Sequence, residues 1–227
     1  MTITRVLAKR VVFAQRAWRG ACCARHCSGG AGSDADGTRE AAIAAFRKLD
    51  IRVGQMAKVW KHESADKLFC EEIDVAEPEP RQIASGLVPY YSAEQLEGSH
   101  VLVVCNLKPA KLVGFKSHGM VLCAVSDDGA AVEIVEPPEG SVLGERVALL
   151  DSDGGNGDND SDNDDGNGND VHEEPASANQ VGKRKLMQSA CQALATDGDR
   201  VARCGGLAVV TSAGMCTART LGRARIY

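Results

Sequence analysis

At 227 residues with a formal net charge of −5, the chain has room for one or two domains, and no apolar run reaches the ~20 residues of a membrane span. Its nine cysteines, odd in number and spread through a long chain, exclude the dense disulfide framework of a small secreted domain and fit a reducing compartment. The charge is uneven, +4 over residues 1–45, −5 over 46–150, −10 over 151–174 and +6 over 175–227, so its overall sign says little about partners.

Residues 1–33 hold no acid but carry Arg5, Lys9, Arg10, Arg16, Arg19 and Arg25 among Val6, Leu7, Val11, Val12, Phe13 and Trp18. An amphipathic, arginine-bearing, acid-free start is the composition of an organelle transit peptide. Its few hydroxyl residues favour mitochondrion over plastid, and a cytosolic extension is the alternative. Cys22, Cys23, His26 and Cys27 lack the second ligand pair of a zinc site. Residues 34–48 read as linker and a short helix from Arg39 to Lys48, with Thr38 as N-cap.

The body, 49–150, begins with a period-two strand over Ile51–His62, in which Gly54 marks a bend. Further strands are expected over Leu68–Val75, Arg81–Leu87, Val101–Leu107 and Val132–Val135. Ser92-Ala-Glu-Gln95 has capping-box spacing for one short helix ending at Gly98. Lys111–Lys116 and Met120–Val125 read as a hairpin turning at Ser117-His-Gly119. Several short strands, one short helix and Gly/Pro punctuation predict an all-β fold, a five-stranded barrel of the oligonucleotide-binding type.

Residues 151–176 form an acidic insert too poor in apolar groups to fold, a self-repelling spacer. Asp160, Asp162 and Asp164 begin like a calcium loop, but Asp165 stands where its Gly belongs and Val171 where its Glu belongs; neither metal nor cofactor is expected. Residues 177–227 regain strand pattern over Val201–Val210 and Met215–Ile226, a small basic β appendage.

Between Gly98 and Ser126 there are 29 residues without an Asp or Glu, and they hold Lys108, Lys111 and Lys116. A positive field on β-structure suits a phosphate backbone. Lys108, Lys111 and Lys116 are therefore candidate phosphate contacts, with Arg52, Lys58 and Lys61 on the first strand possible neighbours in the same groove. Asn106 offers a donor and an acceptor to a sugar or base. Each has a plainer reading: solvated lysines, an asparagine capping a turn, and Trp60 in the core. Recognition by stacked bases is expected to be minor at 4% aromatic residues.

Residues 49–150 resemble the tRNA-binding domain of the endothelial-monocyte-activating polypeptide family, also appended to some methionyl- and tyrosyl-tRNA synthetases. The resemblance rests on Leu49-Asp-Ile-Arg-Val-Gly54, His62 with Ala65-Asp-Lys-Leu68, Ser85-Gly-Leu87, Asn106-Leu-Lys-Pro-Ala-Lys111, and Ser117 with Gly119-Met120. The tail is similar to that of eukaryotic members through Lys183-Arg-Lys185 and Gly214–Thr220. The resemblance implies that the tail packs on the barrel where bacterial relatives dimerise, giving a monomeric pseudo-dimer. It adds Ser117 to the RNA contacts, through a phosphate or 2′-hydroxyl, and Met120, under a splayed base. Departures are Glu63 where the family has Pro and His118 where Gln is common.

The expected function is a non-catalytic tRNA-binding module, auxiliary to aminoacyl-tRNA synthetases. A protein-binding scaffold or chaperone with incidental RNA binding is the alternative. No nucleophile–base spacing, phosphate loop or synthetase signature points to an enzyme, and no membrane partner is expected.

Overall fold

The computed structural model describes residues 34–150 and 173–227. The expected transit peptide over 1–33 and residues 151–172 of the acidic insert, with the cysteine–histidine cluster and the calcium-like aspartates, lie outside the described residues.

Helix α1 (Asp34–Arg47) starts ahead of Thr38, which therefore sits inside the helix rather than capping it. Ala42, Ala45, Phe46 and Leu49 fall at helical spacing and are all buried, the apolar stripe that seats a helix on a core. Strand β1 (Ile51–Lys61) then pairs antiparallel with β2 (Phe69–Asp74). Strand β3 (Arg81–Ser85) extends the sheet beyond β2, and β4 (His100–Val104) pairs with the other edge of β1. Strands β5 (Ala110–Leu112) and β6 (Phe115–Ser117) form a separate ribbon, and β7 (Met120–Val121) returns to β4. The order β3-β2-β1-β4-β7 is the sheet of the expected five-stranded barrel, nearly closed.

The ladder between β1 and β2 shifts register between Met56 and Lys58, a bulge that bends the strand. Gly54 contributes room instead: a Cβ there would lie 2.8 Å from Cγ2 of Ile73. Strand β4 is apolar on both faces because both are buried. Val101 and Val103 line the barrel interior with Met56, Phe69, Ile73, Ile83 and Leu96. Leu102 and Val104 belong to a second core with Phe46, Ile51, Leu186, Leu194 and Ile226. Helix α2 (Ala93–Leu96) is opened by the expected capping box: Ser92 Oγ accepts from Gln95 N–H, and Gln95 Oε1 accepts from Ser92 N–H.

The tail is more than a β appendage. After β8 (Cys123–Val125), β9 (Val132–Ile134) and β10 (Ala148–Leu150), two helices appear, α3 (Ala178–Arg184) and α4 (Leu186–Ala190). Strands β11 (Leu194–Thr196), β12 (Ala202–Cys204), β13 (Leu207–Thr211), β14 (Gly214–Met215) and β15 (Arg225–Ile226) follow. Because β15 pairs with β8 and β13 with β10, barrel and tail share one curled sheet and one core.

One carboxyl breaks the apolar pattern inside the barrel. Glu71 stands opposite Val59 and Ile83 in the ladders and is fully buried. Ser85 Oγ donates to its Oε1, while Oε2 has no partner. Burial pushes its pKa up from 4.5 to about 8, with the Ser85 hydrogen bond pulling weakly the other way. From pH 4.5 to about 8 the unfolded chain has lost this proton while the folded barrel keeps it. Stability therefore falls as pH rises through that window and levels off above it. Glu71→Gln should flatten this dependence and stabilise the protein above pH 8 by a few kcal/mol, at about 1.4 kcal/mol per unit; urea unfolding at a series of pH values measures it.

Candidate nucleic-acid interface

The acid-free segment folds differently from the expected hairpin. Its turn is Val113-Gly114, not Ser117–Gly119, because both residues adopt positive φ, 46° and 96°, as a two-residue turn matched to strand twist requires. Glycine does this freely, whereas a β-branched residue there is an outlier, and Val113 is 58% exposed at the tip. In the ribbon, Ala110 faces Ser117, Lys111 faces Lys116 and Leu112 faces Phe115. Paired residues share a face. Ser117 is buried and Ala110, Leu112 and Phe115 are half-buried, while Lys111 and Lys116 are exposed. One face of the ribbon therefore rests on the barrel and the other presents two lysines directly opposite each other. No described carboxylate pairs with either.

The ends of this segment are fastened to the fold. Arg81 Nη1 donates to the carbonyls of Cys105, at 2.7 Å, and His118, at 3.0 Å, closing the segment from both sides. Its Nε and Nη2 bind Glu77 at 2.8 and 2.6 Å, which holds the Glu77 carboxyl below its usual range and the guanidinium above its own. Asn106 Oδ1 accepts from Asp50 N–H at 3.0 Å, and its Nδ2 donates to the carbonyls of Lys48 and Ala176 at 3.0 and 2.9 Å. Ser117 Oγ accepts from Ala84 N–H at 3.1 Å and donates to the Gly119 carbonyl at 3.0 Å. The Phe115 ring makes T-shaped contacts with Trp60, at 6.2 Å between centroids, and with His62, at 6.5 Å.

The predicted residues thus separate into two groups. Lys58, Lys108, Lys111 and Lys116 are exposed cations without a described acidic partner. Lys58 Nζ lies 5.2 Å from the centroid of Trp60. Lys108 lies along α3, its Cε 3.7 Å from where a side chain at Gly182 would begin. That helix ends in exposed Lys183 and Arg184, followed by exposed Lys185, so the tail's basic run continues the positive surface of the barrel.

Asn106, Ser117, Arg52 and Met120 form the other group. Asn106 and Ser117 spend their polar atoms on the protein backbone, so the free donors and acceptors expected there are instead braces. Arg52 binds Asp50 through Nε and Nη2, both at 2.9 Å, and faces Glu77 at 3.7 Å. The Asp50 hydrogen bond is the main reason its pKa is raised, and its charge is neutralised locally. Met120 is half-buried on β7 against the second core. The sequence reading missed Arg81, whose two carbonyl bonds span chain segments that only the fold brings together, and Phe115, which looked like one apolar residue among many.

Among the described residues, no cluster of His, Cys, Asp and Glu could hold a metal ion. No helix among them is long and apolar enough to cross a membrane. Burial pushes the thiols of Cys105, Cys123, Cys204 and Cys216 up to about 12, which leaves them protonated and inert.

Residues 51–146 match the family model described as "Putative tRNA binding domain". The fold is that of the C-terminal domain of Plasmodium vivax p43, with a TM-score of 0.67 and 31% identity over 80% of this chain and 98% of that one. The chain belongs to the tRNA-binding domain family. Within that family it is 39% identical over 179 residues to a rice (Oryza sativa subsp. japonica) protein named "Probable methionine--tRNA ligase". It is 47% identical over 100 residues to the aminoacyl tRNA synthase complex-interacting multifunctional protein 1 of Cricetulus griseus. These alignments cover 79% and 44% of this chain but only 20% and 27% of the relatives. The p43 match, at 80% of this chain, spans barrel and tail together.

The two groups should respond differently to substitution. Asn106→Ala leaves two backbone carbonyls and one N–H without their partner and should destabilise the protein by about 2 kcal/mol or more. Lys111→Ala, at an exposed position, should change stability by less than about 0.5 kcal/mol. Denaturant unfolding of the two variants checks the contrast.

Proposed function

We propose that this chain is a non-catalytic tRNA-binding module whose exposed lysines contact the phosphate backbone, and that it serves aminoacyl-tRNA synthetases as an auxiliary factor. The observation that carries the reading is the Lys111–Lys116 pair. Like charges directly opposite on a ribbon cost stability, and here no described carboxylate offsets them. An anion arriving between them removes that repulsion. The surrounding braces fix the ribbon before any ligand arrives, so little ordering entropy is lost on binding. Membership of the family supports tRNA as the anion. The synthetase part of the proposal rests on the names of relatives that this chain spans only in part.

A protein-binding role has less support. Among the described residues, the large hydrophobic side chains that are well exposed are Val113, Val142, Leu150 and Met215, a sparse set for a docking surface.

Phosphate contacts release counterions, so log affinity should fall linearly with log salt, by about 0.7 to 0.9 per phosphate neutralised. Removing both hairpin lysines in Lys111→Ala/Lys116→Ala should weaken tRNA binding and flatten that slope by about 1.5. Filter binding or fluorescence anisotropy over a range of salt concentrations measures both quantities. Salt-insensitive binding, or a slope unchanged in the double variant, would contradict the proposal.

A further inference from the structure

Beside the lysines lies an aromatic group that backbone charge does not use. Trp60 and Lys58 share the outer face of β1, since they are two residues apart beyond the bulge. His62 follows the end of that strand, and Phe115 comes from β6. The three rings are partly exposed, although Phe, Trp and Tyr together make up only 4% of the chain. The Trp60 and Phe115 planes are inclined at 75° and those of His62 and Phe115 at 77°. Such edge contacts hold rings in place without covering both faces of each. Above the Trp60 face is the Lys58 ammonium, an exposed and flexible cap. Ser64 N–H donates to His62 Nδ1 at 3.0 Å, which leaves the Nε2 nitrogen as the hydrogen-bond donor of the neutral ring.

We propose that Trp60, His62 and Phe115 form a stacking subsite for one unpaired RNA base, entered when Lys58 swings from the Trp60 face to the adjoining phosphate. This deepens the tRNA-binding reading and rests on it. Rings alone would be packing, and lysines alone would read any polyanion. The two side by side match a nucleotide whose base has left its helix, an apolar plane next to a phosphate. The subsite therefore selects RNA that offers an unstacked nucleotide, at a loop or a single-stranded end, over continuous duplex. Trp60 also packs against Phe115 of the ribbon, so its replacement has to keep an apolar side chain there.

Trp60→Leu in the full chain keeps an apolar side chain against Phe115 and removes the aromatic face. Its affinity for a single-stranded RNA oligomer should fall about 10-fold or more, the scale of one lost stacked base. Its affinity for a blunt RNA duplex, the salt slope and the melting temperature should stay as in the parent. In a Trp18→Phe background, where Trp60 is the sole tryptophan, the single strand should quench its emission and the duplex should not. Equal losses for single strand and duplex, or no loss and no quenching, would overturn the subsite. Lys111→Ala/Lys116→Ala separates the two levels of the argument: weaker binding in that variant with an unaffected Trp60→Leu overturns the subsite alone, and no effect in either overturns the RNA reading as well.

Discussion

The lysines of this protein matter because of what Arg81 does beneath them. One guanidinium nitrogen binds the carbonyls of Cys105 and His118 and so fixes both ends of the segment that carries Lys108, Lys111 and Lys116. Its remaining nitrogens are engaged by Glu77. The acidic residues of this region thus neutralise the arginines that hold the structure, with Asp50 on Arg52 and Glu77 on Arg81, while the exposed lysines keep their charge. Planar, forked arginine suits bidentate bracing, and a compact ammonium on a flexible stem suits a mobile phosphate.

The same economy joins barrel to tail. Asn106 ties the start of the lysine segment to Lys48, after the first helix, and to Ala176, before the third. Arg146 adds a second tie, with its guanidinium donating to the carbonyls of Arg47, Leu49 and Glu173. Lys48 and Glu173 pair at 2.8 Å alongside. The helix before the barrel and the segment after it therefore meet at one polar seam, underlain by the core that Phe46, Val104 and Ile226 share. A tail held in this way can present Lys183 and Arg184 beside Lys108 as part of one positive surface.

Much of this was legible before folding was considered. Strand β4 declared itself central by being apolar from Val101 to Val104, and Ser92-Ala-Glu-Gln95 declared its helix. The acid-free window announced the basic ribbon, since charge patterning survives any local error in strand bounds. The turn was misplaced because Ser117-His-Gly119 looks like a turn, whereas Val113 does not look like a residue for positive φ. The tail helices were missed although Ser177-Ala-Asn-Gln180 repeats the spacing read correctly at Ser92. The run Lys183-Arg-Lys185 behind it has no apolar spacing of its own to mark a helix. Asn106 and Ser117 were read as candidate RNA contacts, whereas their polar atoms engage backbone groups of the fold, because a polar side chain in a sequence does not reveal whether backbone groups will reach it first. Phe115 and Trp60 met only through tertiary packing that no spacing encodes.

What ties charge, bracing and family likeness together is the claim that tRNA lies on one set of lysines left without a described acidic partner, Lys111 and Lys116 on the fixed ribbon and Lys58 and Lys108 outside it. Lysine acetylation read by mass spectrometry, with and without tRNA, measures this residue by residue. Lys58, Lys108, Lys111 and Lys116 should be modified readily in the free protein and protected in the complex, whereas Lys48, held by Glu173, should change little. Full tRNA binding with those four lysines still as reactive as before would contradict it.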